Sequence, residues 1–293
     1  MCPPWATTRV APTIYMGILF LVGTPIGNLE DISIRALQVL KNVSLIAAED
    51  TRTAKQLLAH FDIHTPVTSY YEHNKLSKLD RILEALQTGD VAVVSEAGMP
   101  GLSDPGYELV RAALARGIRV SPVPGPTAVL AALVASGLSA DRFFYLGFLP
   151  REARARRKLL QAVKDEPMTL IAFEAPHRVR EALRDMDEIL GEREMCAARE
   201  LTKVFEEFRR GPIAEVRKHF EEVEPRGEFT FVIAGAPSGK IPQEEPWNDA
   251  RVKREVHALL KKGVPRTKAV KHIARASRRE RREVYELSLK GSR

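Results

Sequence analysis

The sequence predicts an α/β protein: a parallel-sheet domain first, a mixed-sheet domain second, and a small helical module at the C-terminal end. Three observations carry that reading. Short apolar runs alternate with amphipathic stretches through the first half of the chain, the mark of a parallel sheet covered on both faces. A second, less regular alternation follows. The last stretch keeps helical periodicity alone and is strongly basic. At 293 residues the chain is long enough for more than one core.

In the first half, β-type runs fall at 18–22, 43–47, 67–70, 91–95 and 119–123, with helical patterns near 32–41, 52–61, 76–88, 106–116 and 127–136. Gly89, Gly117 and Gly137 stand where helices are expected to end. A break at DRFFYLGFLP separates this domain (16–137) from the next (138–236). There a basic helix is expected over Arg151–Val163, strands at 169–174, 194–199 and 229–234, and a helix at 177–190. Residues 1–15, with two adjacent prolines and no periodicity, read as a disordered lead-in before a functional start near Met16. Three prolines between Pro237 and Pro246 mark a linker (237–249). In the module at 250–293, apolar Val252, Val256, Leu259 and Leu260 precede a turn at Gly263–Pro265. Two short helices are expected after it, around 266–275 and 278–290.

Charge is distributed unevenly. Arg251 to Arg293 hold fifteen Lys/Arg against four Asp/Glu, leaving thirty basic and thirty-four acidic residues in 1–250. A basic module on a mildly acidic body is a footprint of polyanion binding, or else a solvated helical surface. Cys2 and Cys196 can form no disulfide framework and have no partner at metal-ligand spacing, so a reducing compartment and no metal are expected. The early apolar run Ile14–Val22 is too short to span a bilayer and leads into a turn, not a cleavage site. The expected location is the cytoplasm.

The first strand and turn, LFLVGTPIGN, look like a nucleotide-binding turn but lack both G-x-G-x-x-G and G-x-x-x-x-G-K-[ST]. In open parallel sheets ligands bind beyond the carboxyl ends of the strands. Those ends here read TPIGN, AEDTR, SEAGMPGLSDPG and PVPGPTA, then FEAPHR and ARELTK in the second half. They are acidic and rich in glycine and proline, with few lysines. Such loops are unsuited to pyrophosphate. They suit a ligand carrying an adenine, a ribose and an amino acid, such as S-adenosylmethionine.

LFLVGTPIGNLEDISIRALQVL, LIAAEDTR, SDPGY, PGPTA, GFLPR, EAPHR and ARELTK stand in the order found in the ribosomal RNA small subunit methyltransferase I family of the tetrapyrrole methylase superfamily. The resemblance covers roughly Met16 to Gly235, and SRRERREVYELSLKG is similar to that family's C-terminal module. It implies two α/β domains of tetrapyrrole methylase type with S-adenosylmethionine in the cleft between them, and a homodimer. The implied activity is methylation of a cytidine ribose 2′-hydroxyl in the decoding centre of small-subunit (16S) ribosomal RNA, held in assembled subunits. It implies that Pro25, Ile26, Ser95, Glu96, Ala97, Gly98, Met99, Pro126, Thr127, Ala128, Phe173 and Ala198 line the cofactor cleft. Glu96 and Met99 depart from the family's usual Asp and Thr.

Methyl transfer to a hydroxyl needs the oxygen placed close to the methyl carbon and its proton removed. Glu49, Asp50, Glu174, Glu200 and Lys203 are the candidates at the strand ends, with Asp50, Arg52 and Lys203 preferred. Arg52 would hold a phosphate while Asp50 orients the hydroxyl; alternatively Asp50 simply caps the helix after it, and pairs such as Glu49–Lys203 are structural. His177 is a phosphate contact or a first-turn residue. Arg151, Arg154, Arg156, Arg157 and Lys158, with Arg278, Arg279, Arg281 and Arg282 in the tail, are the expected phosphate contacts. Two other readings remain: a methyltransferase for a corrin or porphyrin precursor, and a non-catalytic RNA-binding factor.

Overall fold

The computed structural model describes residues 17–71, 75–236, 247–277 and 279–289. The expected lead-in, most of the expected linker and Arg278 lie outside the described residues. The chain forms two compact units, one up to residue 237 and one from 238 onward.

The first unit begins β1 (Leu19–Val22), α1 (Ile34–Asn42), β2 (Leu45–Ala48), α2 (Thr51–His60), β3 (Val67–Ser69), α3 (Lys75–Ala85), β4 (Val91–Val94), α4 (Tyr107–Ala115), β5 (Val120–Val123) and α5 (Ala128–Ser136). The five strands are all parallel, in the order β3-β2-β4-β1-β5. Side chains alternate across a strand, so one strand feeds two cores. Ile46, Ala48, Ala92 and Val94 pack under α1 and α2; Ala47, Val91 and Val93 pack under α3 and α4. That is why β4, VAVV at the sheet centre, is buried throughout. Pro122 is tolerated in β5 because this is an edge strand paired with β1 alone.

The helix starts have local causes. The hydroxyl of Ser33 accepts from the Ala36 N–H ahead of α1, and the Asp50 carboxylate accepts from Arg52 and Thr53 N–H ahead of α2. Gly137 ends α5 with φ at +83°, a conformation glycine adopts without steric cost.

The unit continues with β6 (Phe143–Phe148), α6 (Ala153–Ala162), β7 (Thr169–Glu174), α7 (Val179–Leu190), β8 (Glu194–Arg199), β9 (Glu207–Pro212), α8 (Ile213–Glu222) and β10 (Phe229–Ile233). This sheet runs β6-β7-β10-β8-β9, with β6 parallel to β7 and the other pairs antiparallel. It is mixed, as the sequence predicts. The stretch read as a break contains strand β6, and β9 with α8 fills a region for which the sequence reading places no element. Helices α6, α7 and α8 cover one face. The other face receives α5, whose Val129, Ala132 and Leu133 share a core with Ile171, Cys196, Ala198 and Val232, and with Ile26 from beyond β1. A helix that follows the first sheet therefore packs on the second, and this brings the ends of the two sheets together.

The second unit holds α9 (Asp249–Lys261), α10 (Arg266–Ser277) and α11 (Arg281–Leu289). Val252 and Val256, Val270 and Ile273, and Val284 and Leu287 recur at helical spacing and form one core.

Candidate functional site

A cleft of about 580 Å³ opens where the two sheets of the first unit meet, within the usual size of a small-molecule site. Its floor comes from the carboxyl ends of parallel strands: Pro25 to Gly27 after β1, Glu49 and Thr53 after β2, Glu96 to Met99 and Leu102 to Asp104 after β4, and Thr127 and Ala128 after β5. Crossovers from β1 and β2 run to one face of the sheet and those from β3 and β4 to the other. Neighbouring loops diverge there and leave a crevice. Phe148 at the end of β6, Phe173 to Pro176 at the end of β7, Leu201 and Lys203 beyond β8, and Glu228 to Thr230 at the start of β10 form the opposite wall.

Close backbone approach shapes the floor. A Cβ added to Gly23 would lie 2.8 Å from the Gly125 Cα and 2.7 Å from the Met99 sulfur. The loops after β1, β4 and β5 thus meet across glycine, and Met99 fills space beside it. Gly98 sits at φ +82° and closes a two-way backbone bond with Thr24, N–H to C=O at 2.9 and 3.1 Å. The buried Ser95 hydroxyl donates within the same loop, 3.3 Å from the carbonyls of Ala97 and Gly98. Three of the four non-glycine residues with positive φ among the described residues, Ser103, Glu200 and Thr202, flank the cleft. Each is held by a bond: Ser103 Oγ to Tyr145 OH at 2.7 Å, Glu200 N–H to the Glu228 carbonyl at 3.0 Å, and Thr202 N–H to Glu206 at 2.8 Å. Such strain persists only where the surroundings impose it.

The cleft is acidic. Glu49 reaches over the β4 loop, where one carboxylate oxygen accepts from the Glu96 N–H at 3.2 Å. Burial pushes the Glu49 carboxyl up against that bond, with the charges of Glu96 and Asp50 adding to the rise. Asp104 is pushed up to about 7, first by burial and then by Glu49, while Ser95 pulls back. Glu174 is 1% exposed; burial raises it despite the Ala175 N–H and the Arg178 guanidinium at 2.5 Å. Its second oxygen is buried with no hydrogen-bond partner. Lys203 is the one cation lining the cleft among the described residues. Its ammonium lies 2.9 Å from Glu200 and 3.0 Å from Glu228. Burial lowers it, but the two carboxylates win and hold it above its ordinary value.

Of the residues expected at the site, Pro25, Ile26, Glu96, Ala97, Gly98, Met99, Thr127, Ala128, Phe173 and Lys203 line the cleft. Ser95 lies beneath the loop, the Pro126 carbonyl packs below Gly98, and Ala198 is wholly buried in the core under the wall. Asp50 serves as the cap of α2 and pairs with Arg52 at 2.8 Å. Those bonds hold its carboxyl at about 2, which leaves it little tendency to take a proton. The Arg52 side chain is 87% exposed. Glu200 positions Lys203 instead of facing the cleft.

The basic run after β6 also divides. Arg156, expected at a phosphate, is 2% exposed and bonds Asp185 at 2.7 Å. Arg157 bonds Asp185 at 2.8 Å and Glu188. Arg151, Arg154 and Lys158 remain exposed. In the second unit Arg279 ties Asp249, Glu283 and the Trp247 carbonyl together at 2.6 to 2.8 Å. Its guanidinium is structural, whereas Arg281 and Arg282 are exposed. No three His, Cys, Asp or Glu side chains among the described residues are grouped to hold a metal ion, and no described helix is long and apolar enough to cross a membrane.

Sequence reasoning missed Asp104 although it lies within the quoted SDPG. It also missed Glu228 to Thr230, because it searched the carboxyl ends of strands. β10 runs antiparallel to β7 and β8, so its beginning arrives at the same edge.

This sheet pair with a crevice between defines a class. Residues 19–217 match the family model of tetrapyrrole (corrin/porphyrin) methylases. The crystal structure of the native form of uroporphyrin III C-methyltransferase from Thermus thermophilus superposes with a TM-score of 0.54 at 20% identity, covering 74% of this chain and 97% of that one. At that identity the likeness concerns the fold alone. Sequence relatives are nearer. The ribosomal RNA small subunit methyltransferase I of Synechocystis sp. is 47% identical over 94% of this chain and 98% of its own. The protein of that name from Bacillus subtilis is 46% identical over 92% and 94%. The chain belongs to the ribosomal RNA small subunit methyltransferase I family of the tetrapyrrole methylases.

Proposed function

We propose that this chain transfers a methyl group from S-adenosylmethionine to the ribose 2′-oxygen of a cytidine in the decoding centre of small-subunit (16S) ribosomal RNA. The observation that carries the reading is the near full-length similarity to relatives of that name, 47% identical over 94% of this chain in the first case. The chemistry of the cleft supports the choice of cofactor. Five carboxylates and one lysine line it, a setting hostile to polyphosphate and favourable to a cation. The unpartnered buried oxygen of Glu174 fits a ligand that brings N–H donors. Phe148 and Phe173 offer aromatic rings to a flat base.

S-adenosylmethionine, when bound, supplies a methyl on a sulphonium and so an uncharged leaving group. Glu49 and Glu96 would hold its positive groups, and the glycine-closed floor would orient it. Lys203, kept charged by Glu200 and Glu228, polarises the ribose oxygen and lowers the cost of its developing negative charge. Asp104, with its carboxyl near 7, changes state around neutrality and is the group suited to accept the hydroxyl proton. Asp50, expected to orient the hydroxyl, caps α2 instead. Leu130 and Val134, one turn apart and exposed on α5, suit a contact with a second copy, and the proposed working form is a homodimer; the proposed location is the cytoplasm.

The test incubates radiolabelled S-adenosylmethionine with small subunits lacking the modification, then maps the label. A labelled 2′-oxygen on a decoding-centre cytidine is the expected result. Tight binding of subunits with no label would instead establish a non-catalytic RNA-binding factor. Label on a porphyrin precursor and not on subunits would move the chain to the macrocycle branch.

A further inference from the structure

We infer that the groove between α10 and α11 of the C-terminal module is a binding site for an unpaired stretch of RNA, with Tyr285 as the platform for a base. The inference rests on the reading of this chain as an RNA methyltransferase and names a site that the cleft does not include. Thr267, Lys268 and Lys271 fall on one stripe of α10 at spacings of three and four; Arg281, Arg282 and Tyr285 do the same on α11. The adjoining stripes, Val270, Ile273 and Ala274 against Val284 and Leu287, form the core of the module, with Val270 also at the floor of the groove. Packing the apolar stripes together leaves the polar ones on either side of an open groove of about 540 Å³.

The groove concentrates like charge. Lys268, Lys271 and Arg281 make no ion pair among the described residues, and Arg282 has only Glu286 at 3.4 Å. Arg279, by contrast, is fully engaged in holding the module together. Arg279 is thus neutralised by carboxylates, whereas Lys268, Lys271 and Arg281 have none among the described residues. Crowding unneutralised cations repels, and a polyanion relieves it. Tyr285, 44% exposed among them, separates RNA from other polyanions. A phosphate chain alone or an acidic peptide gains little from an aromatic face, whereas an unstacked base gains stacking there. A duplex keeps its bases stacked on each other and cannot use it.

The test measures fluorescence anisotropy of a labelled oligouridylate and of a hairpin duplex with the full-length protein, over a range of salt. The wild type is expected to prefer the single strand. Removing both lysines, Lys268→Gln with Lys271→Gln, should weaken single-strand binding about 10-fold and lower the log–log salt slope by about 1.4, near 0.7 for each cation. Tyr285→Leu should weaken it by about 10-fold with the slope unchanged, and Tyr285→Phe should restore it. Far-ultraviolet circular dichroism of each variant verifies folding, and the exposed positions should leave it unchanged. Equal loss on duplex and single strand, wild-type binding by Tyr285→Leu, or equal competition by polyglutamate would overturn the inference. Methyl transfer to subunits is scored separately. Groove-dependent RNA binding without methyl transfer leaves the site standing and removes the enzymatic reading; methyl transfer with groove variants that bind as wild type does the reverse.

Discussion

The cleft of the first unit and the groove of the C-terminal module are opposites in charge and in construction. The cleft gathers Glu49, Glu96, Asp104, Glu174 and Glu228 around a single lysine, with backbone closed tightly through Gly23, Gly98 and Gly125. The groove gathers Lys268, Lys271, Arg281 and Arg282 on the outer stripes of two helices. Three of these carboxylates, Glu49, Asp104 and Glu174, are withdrawn from water, and desolvation drives them upward. Cations at the groove stay solvated. On the proposed reading the cleft recognises a small ligand by shape and desolvated charge, and the groove attracts a long polyanion by charge that salt screens. Specificity of position belongs to the first and capture to the second.

The largest break in that contrast should come from the floor of the cleft. Gly23→Val would press its side chain against the Gly125 backbone, which cannot step aside. Calorimetric affinity for S-adenosylmethionine should fall at least about 100-fold, with a loss of about 1–3 kcal/mol in stability from overpacking. RNA binding at moderate salt should survive. Unchanged cofactor affinity would mean that the glycine contact does not shape the site.

Next in size is Lys203, the one cleft cation among the described residues. Lys203→Met should lower kcat about 100-fold in single-turnover methylation, the scale of one lost charge-stabilising donor, while cofactor affinity stays within a few-fold. A loss confined to KM would reassign Lys203 to substrate binding.

Salt separates the regions directly. Three or four phosphate contacts at the groove should weaken single-strand RNA binding about 10- to 50-fold between 50 and 200 mM salt. Cofactor affinity should change less than about 2-fold over that range. Parallel curves would erase the distinction between a desolvated and a solvated site.

The smallest effect is one of pH. Folded Asp104 keeps its proton to about pH 7, and in the unfolded chain it does so only to about pH 4. Its contribution to stability is thus fully present below about pH 4 and is lost as pH rises to about 7. Asp104→Asn removes that loss. Its melting temperature should exceed the wild type's by about 2–4 °C at pH 8, with the gap closing toward pH 4. Its methylation rate should also lose the rise through pH 7. Equal melting temperatures at pH 8 would place Asp104 in a more solvated setting than the fold implies.

The alternating strands and helices of the first sheet were legible because their signal is local: VAVV buried on both faces, Asp50 ahead of a helix, Gly137 after one. The breaks in legibility fall where pairing is remote. β6, FFYLGF, keeps Phe143, Phe144 and Phe148 exposed, so no alternation announces it; β7 supplies its partner. β9, EFRRGP, is an edge strand whose only pairing is to β8. Helix α8 buries Ile213, Val216 and Phe220 at helical spacing and was within reach of a periodicity search.

By itself the sequence determined the class of fold, the loops that gather at the cleft, and the basic character of the module, since each depends on the order of neighbouring residues. Only the tertiary structure decided which of those residues act. Arginines two positions apart part company, Arg156 buried on Asp185 and Arg154 exposed, because one helix face meets α7 and the other meets water. Asp50 and Asp104 both follow strands of the parallel sheet, yet one carboxyl is held near 2 by hydrogen bonds within its own turn. The other is lifted to about 7 by burial and by Glu49, fifty-five positions away in the chain. Burial and charge act through space, and only the folded chain brings those partners together.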